Sequence, residues 1–231
     1  MLFWKRFSFV AICSAILLVF AGHSCYGETV DTLNDLIRHN KFAAVERLLK
    51  AGINLNKAGT DGILPLSLAS MLGNVKMVKI LLRYNPNIDI PDAQGKTPIV
   101  YSLIGRVVEP NKKSETTRMA NQALRQEQSA VCSLLIRNGC NCSHQDTSGL
   151  SVLHFAVMYG YPDICRLLIK KNVNVNVQSH NGTTPLHLAA RRQYQRDNYL
   201  RILIQAGADT TLKDANSKTA FEYQPWAQKQ R

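Results

Sequence analysis

Apolar residues recur along this chain in short runs at helical spacing. Val78-Lys79-Ile80-Leu81-Leu82, Cys132-Ser133-Leu134-Leu135-Ile136, Cys165-Arg166-Leu167-Leu168-Ile169 and Leu200-Arg201-Ile202-Leu203-Ile204 are variants of one pattern, and Val45-Glu46-Arg47-Leu48-Leu49 is a degenerate copy. Each puts an apolar stripe on one side of a helix, with Leu81, Leu82, Leu167 and Leu168 on the inward face. Each precedes a polar turn: Ala51-Gly52-Ile53-Asn54, Gly139-Cys140-Asn141-Cys142, Asn172-Val173-Asn174-Val175 and Gly207-Ala208-Asp209-Thr210. Gly52, Gly139 and Gly207 stand where a helix ends on a left-handed residue.

A second pattern opens each unit. Gly62-Ile63-Leu64-Pro65-Leu66, Gly95-Lys96-Thr97-Pro98-Ile99, Gly149-Leu150-Ser151-Val152-Leu153 and Gly182-Thr183-Thr184-Pro185-Leu186 align, with Ser217-Lys218-Thr219-Ala220-Phe221 as a weaker fifth. Proline suits the first helical turn, where its missing N–H removes no helix bond, and Thr184 is placed to cap the helix start. The glycines lie 33, 54 and 33 residues apart, and Ser217 follows Gly182 by 35. The unit is therefore 33 residues long, enlarged once by 21 and once by two.

Thr184-Pro185-Leu186-His187-Leu188-Ala189-Ala190 and Gln205-Ala206-Gly207-Ala208-Asp209 closely resemble the signature and closing turn of the ankyrin-repeat family, whose period is 33 residues. The resemblance covers roughly residues 31–223. It implies an all-α ankyrin-repeat solenoid: helix-turn-helix repeats with β-hairpin-like turns, about five in number, plus a C-terminal cap. The repeats fall at about 29–58, 59–91, 92–145, 146–178 and 179–213, with the cap at 214–231. A helix pair this short does not fold alone, and stacking makes the core continuous. The polar first copy (Asp31, Asn34, Asp35, Arg38) and the Gln/Lys-rich end after Phe221 read as solvent-facing caps.

Residues 1–27 read differently. Lys5 and Arg6 precede the uncharged stretch 7–22, and small residues lead to Gly27. That is the layout of a secretory signal peptide cleaved after Gly27. An uncleaved membrane anchor through residues 7–22 is the alternative, although a span needs about 20 apolar residues. A lipid-modified Cys25 is a third reading, disfavoured by the preceding Gly22-His23-Ser24. The mature chain at 28–231 is then expected in the periplasm or outside the cell.

The 21 extra residues lie between Ser102 and Ser129. Pro110-Asn111 marks a turn, and Ser114–Arg137, free of Gly and Pro, reads as one helix of about 24 residues, about 36 Å long. Met119, Ala123, Leu124, Val131, Leu134 and Leu135 follow helical spacing on it. It is expected to project on the side opposite the hairpin tips, either as a contact element or as a tolerated surface insertion.

The net charge is +12, or +10 without Lys5 and Arg6. Such a balance favours acidic partners. Arg191, Arg192, Arg196 and Arg201 gather in the fifth repeat. Without interleaved aromatics or a nucleic-acid motif, an acidic protein surface is the preferred partner over nucleic acid.

The reactive side chains are absorbed by the repeat. Cys132 and Cys165 are 33 apart, at equivalent places on neighbouring helices. Packed helix axes lie about 8–10 Å apart, too far for a disulfide's Cα separation of about 4.4–6.8 Å. Cys140, Cys142 and His144 could suggest a metal, but Cys140 and Cys142 occupy the Ala and Val places of the turn. His154 and His187 hold the fourth place of the signature, where the resemblance implies a structural histidine bonding neighbouring turns. No Gly-x-Ser-x-Gly, phosphate-binding loop or His-Glu-x-x-His occurs, so no enzyme activity, cofactor or metal is expected.

The resemblance implies binding through hairpin tips and the exposed face of the inner helices. By position this assigns Asp61, Ile63, Asp92, Gln94, Lys96, Thr147, Ser148, Leu150, His180, Asn181 and Thr183 to the tips, and Met71, Leu72, Met158, Tyr159, Arg191 and Arg192 to the helix face. Ile63, Leu150, Met158 and Tyr159 are apolar where solvent normally takes polar residues, which suits a groove or a contact with the next repeat. The expected function is a monomeric scaffold or inhibitor binding a protein partner. A secreted effector acting on a host target is the alternative. Mass spectrometry of the protein recovered from an exporting cell should find Glu28 at its N-terminus; a chain still starting at Met1 would overturn cleavage.

Overall fold

The computed structural model describes residues 25–105, 115–193 and 195–223. The apolar leader through residue 24, the turn expected around Pro110-Asn111 within 106–114, and the end of the expected cap from residue 224 lie outside the described residues. Ten α-helices are described: α1 Cys25–Arg38, α2 Phe42–Lys50, α3 Pro65–Met71, α4 Val75–Leu82, α5 Pro98–Ile104, α6 Glu115–Arg137, α7 Val152–Tyr159, α8 Pro162–Lys170, α9 Pro185–Ala190 and α10 Arg196–Gln205. A 3₁₀ turn at Ala220–Tyr223 closes the stack. The expected cleavage point, Gly27, falls within α1.

The helices alternate between two rows. The odd-numbered helices pack on one another in order and end on the 3₁₀ turn, while α4, α6, α8 and α10 form the second row. Leu81, Leu135, Leu168 and Leu203 are fully buried at matching places in that second row, and Leu82 and Leu167 pack half-buried against the same core. Burying one such side chain contributes about 1.5–3 kcal/mol. Proline opens α3, α5 and α9. Ser151 and Thr184 cap α7 and α9 by accepting from the backbone N–H of His154 and His187.

Between these rows and the solvent, hairpin tips join the repeats. Isolated antiparallel bridges pair Gln145 with Ser151 and Lys213 with Thr219, and among the described residues no longer strand forms. The Thr147 N–H donates to the Gln94 carbonyl at 3.0 Å, His180 to Ser148 at 3.0 Å and Ala215 to Asn181 at 2.9 Å. Gly95 is required by this approach, because a Cβ there would meet the Thr147 nitrogen at 2.8 Å.

Polar rungs run parallel to the tips. Asn56 Oδ1 accepts from the Asn87 N–H, Asp89 Oδ1 from Asn141, and Asn176 Oδ1 from Asp209. A second set uses imidazoles. In repeat 4, His154 Nδ1 accepts from the Ser151 N–H, which leaves Nε2 to donate to the Thr183 carbonyl of repeat 5 at 2.8 Å. His187 repeats the arrangement, reaching the Lys218 carbonyl at 3.0 Å.

The first repeat departs from its expected role as a solvated cap. Asn34 is buried and donates to the Ile63 carbonyl, the acceptor that a histidine would take at this place. Asp31 accepts from the Thr60 N–H, and Arg38 pairs with Asp61. Asn34 is thus turned inward, and Asp31 and Arg38 bond the next repeat from the surface. Repeats 2 and 3 carry Ser67 and Val100 at the histidine place. There the hydroxyls of Ser67, Ser70 and Thr97 are buried without a partner.

Burial holds the His154 imidazole below its ordinary value, outweighing its bond to Thr183 and the nearby Asp146 carboxylate. The unfolded chain therefore takes up a proton before the folded chain does. This contribution to stability is intact above about pH 6.5 and is lost as the pH falls towards the depressed folded value. His154→Asn, which copies the Asn34 solution, should unfold at nearly the wild-type temperature at pH 7.5. It should also lose less of its midpoint than wild type between pH 7 and 5. His154→Ala should cost about 1–3 kcal/mol; equal pH slopes for wild type and His154→Asn would contradict this role.

Candidate partner-binding face

The 33-residue register places equivalent side chains at the ends of successive inner helices. Met71, Ile104, Met158 and Arg191 share one place. Leu72, Gly105, Tyr159 and Arg192 share the next. Met158 is 40% exposed, Arg191 is exposed, and Met71 and Ile104 are half-buried. The first set forms a row that is apolar over three repeats and basic at the last. Ile104 was not among the residues singled out from sequence, although the same register marks it.

The neighbouring row is less free. Leu72 and Tyr159 pack half-buried against the core, and the Tyr159 ring stacks parallel to Phe155 with centroids 6.3 Å apart. The Arg192 guanidinium donates to the carbonyls of Val157 and Met158 and lies 4.8 Å from the centre of the Tyr199 ring. It thus satisfies the carbonyl end of α7, where a cation is favoured. Sequence position suggested a groove-facing cation; the structure turns it onto its neighbour repeat. Arg191 lies 3.7 Å from the centre of the Tyr223 ring and 3.6 Å from Asp214. Burial alone would raise the Asp214 carboxyl, but bonds from the Tyr223 hydroxyl and the Lys218 and Asn216 groups hold it at about 2.

Several tip residues also serve the turns. Asp92 Oδ1 accepts from the Gln94 and Lys96 N–H groups, and its Oδ2 accepts from the Tyr101 hydroxyl at 2.6 Å. Ile63 and Leu150 are half-buried on the core, so their apolar character is explained by the neighbouring repeat. Thr183 supplies the carbonyl for His154. Lys96 bonds the Gln94 side chain. Gln94, Thr147, Ser148, His180 and Asn181 are exposed, as is Asp61 beside its Arg38 partner.

Cys132, Cys140, Cys142 and Cys165 are free thiols. Cys132 and Cys165 are fully buried, and burial pushes each up to about 12. That makes them poor nucleophiles. Among the described residues no group of three His, Cys, Asp or Glu side chains is placed to hold a metal. No described helix is long and apolar enough to cross a membrane.

The inserted helix reaches this face. α6 has 23 residues against nine in α8, so it overhangs its row by about 20 Å. Val131 and Leu135 are buried in the stack, whereas Met119, towards the free end, is 62% exposed. Between these lie Arg125, which donates to the Tyr159 carbonyl at 3.0 Å, and Gln128, which accepts from the Tyr161 hydroxyl. Neither was singled out from sequence. Their contacts depend on a close approach of α6 to α5 and α7.

Comparison with known proteins agrees with this architecture. Residues 33–109 and 120–214 match the family model described as ankyrin repeats (3 copies). The chain is similar to an ankyrin repeat protein of Acanthamoeba polyphaga mimivirus, at 23% identity over 141 residues. The match covers 55% of this chain and 18% of that protein, so the chain spans under a fifth of its relative's length.

Arg192 and Met158 should separate stability from surface contact. Arg192→Ala should lower the unfolding free energy by about 1 kcal/mol, a fall of about 2–4 °C. Met158→Ala should shift the midpoint by less than about 1 °C. Calorimetry in which Arg192→Ala leaves the midpoint unchanged would contradict the role assigned to its two carbonyl bonds.

Proposed function

The chain belongs to the ankyrin-repeat family, and we propose that it is an exported scaffold that binds an acidic protein partner on the concave face of its stack. Ankyrin repeats generally mediate protein–protein interaction. The observation that carries the reading is the row Met71, Ile104, Met158 and Arg191, repeated at one place on four successive inner helices. Three apolar side chains and one cation, partly open to solvent, suit a partner that offers an apolar ridge ending in negative charge. The charge of +10 that remains without Lys5 and Arg6 favours the same partner. A surface of about 800 Å² per side is typical of a specific complex, and five stacked repeats are large enough to supply it.

Export rests on the leader, with Lys5 and Arg6 before an uncharged stretch at 7–22. The proposal takes the working protein as a monomer, because a repeat stack completes its core within one chain.

Affinity capture with residues 28–231 tests the reading. The wild-type protein should retain a specific acidic protein, and retention should fall when salt is raised from about 0.05 to 0.5 M. Met71→Asp with Met158→Asp should reduce retention at least tenfold while leaving the circular dichroism spectrum unchanged. No specific partner, or equal retention by the double variant, would overturn it.

A further inference from the structure

We infer that the recess between the inserted helix α6 and the ends of α5 and α7 receives a single carboxylate side chain, an Asp or Glu of the protein partner. This inference rests on the partner-binding reading above and names a second contact for it.

The recess has a volume of about 80 Å³. That is room for several water-sized groups, enough for the carboxylate end of an acidic side chain. Its walls are apolar or aromatic: Leu103 and Ile104 at the end of α5, and Tyr159 and Tyr161 around the end of α7. Such walls suit the methylenes of Glu or Asp. The side chains Asn121, Arg125 and Gln128 bring its polar groups, all three from α6.

Gln128 is the first donor. It is only 3% exposed, and its Oε1 is occupied by the Tyr161 hydroxyl, while Nε2 has no acceptor among the described residues. Leaving a buried donor unpaired is costly, so an acceptor entering the recess would relieve that cost. The amide lies hard against Gly105, where a Cβ would stand 1.7 Å from Nε2. Gly105 also has φ +56, so only glycine combines that backbone with this neighbour.

Arg125 is the second donor, one turn earlier on the same face of α6. It gives one N–H to the Tyr159 carbonyl and meets no carboxylate at ion-pairing distance among the described residues. A guanidinium has five donors, which leaves others for a ligand. Its charge is reinforced from the next repeat. The position of a Cβ on Gly160 would be 3.0 Å from Arg125 Nη1 and 3.1 Å from Arg192 Nη2, so the two cations lie within about 6 Å. Two like charges at that spacing repel, and a bound anion offsets the repulsion.

The neutral amides of Asn121 and Gln128 and one guanidinium match a single negative charge in a small space. A phosphate would bring about −1.5 to −2 of charge into the same small space, which a single lining guanidinium does not balance.

The test uses fluorescent ten-residue peptides of alternating Glu and Ala, their Gln counterparts, and a ten-nucleotide DNA strand. Each is titrated into wild-type protein and into Arg125→Met and Ile104→Phe. The first variant removes charge while keeping an apolar stem; the second narrows the recess without changing charge. The Glu peptide should bind the wild type, and each variant should weaken it about tenfold. In ¹⁵N spectra the Gln128 side-chain amide should shift on binding. The Gln peptide should bind at least tenfold more weakly than the Glu peptide. Equal binding of the Glu and Gln peptides, tighter binding of DNA, no binding of any probe, or undiminished binding in Ile104→Phe would overturn the recess. Repeating the capture experiment with both variants distinguishes the two claims. A partner held equally by wild type and both variants leaves the scaffold reading intact and removes the recess, whereas a wild type that captures nothing removes the scaffold reading itself.

Discussion

No repeat in this chain can bury its own apolar side, and everything else follows from how each one is completed by the next. The inner helices have six to eight residues from repeat 2 onward, far below the length at which a helix holds itself together in water. Leucine layers supply most of the cohesion, but they are indifferent to register. Register comes from polar groups that reach one repeat forward: the imidazoles of His154 and His187, the amide of Asn34, and the Asn56, Asp89 and Asn176 side chains in the second line of turns. Each imidazole is doubly committed, accepting at Nδ1 and donating at Nε2, so it locks a helix start and a neighbouring hairpin together.

That lock is unevenly distributed. Repeats 2 and 3 lack it, with Ser67 and Val100 at the histidine place and the Thr97 hydroxyl buried unpaired. Repeat 3 also carries the long insertion, so the part of the stack with the weakest polar registration is where the chain departs most from its repeat. The face at repeats 4 and 5 is held by both histidines, by Arg192 under the end of α7, and by Arg191 with Asp214 and Tyr223 at the cap. A rigid surface loses less entropy on binding than a mobile one, which is consistent with the exposed Met158 standing there.

Much of this architecture was legible in sequence because a repeat is a periodic signal. The 33-residue spacing, the Pro-initiated helices and the structural role of His154 and His187 could be read before any coordinates. The long helix at the insertion was legible from its composition, and starts at Glu115, one residue from the expected Ser114. What could not be read was which polar residues bond a neighbouring repeat. Asn34, Asp31 and Arg38 look like solvated cap residues by composition, yet each bonds the following repeat. Arg192 looks like a surface cation, yet the carbonyl end of α7 takes it. Arg125 sits in a non-repeated segment, where no register predicts its neighbours, and Gln128, at the place Tyr161 takes one repeat later, is the first residue to rejoin the register. Their meeting with Gly105, Tyr159 and Tyr161 arises from packing between helices distant in sequence.

The central claim is that the polar rungs, rather than the apolar layers alone, decide where the stack is firm. Native-state hydrogen exchange on the full chain measures this directly, since amide protection follows local opening. The account predicts slowest exchange in α7 and α9, between the two histidine rungs, and faster exchange in α3 and α5, where those rungs are missing. Equal protection along the inner row, or the slowest exchange in α3 and α5, would contradict it.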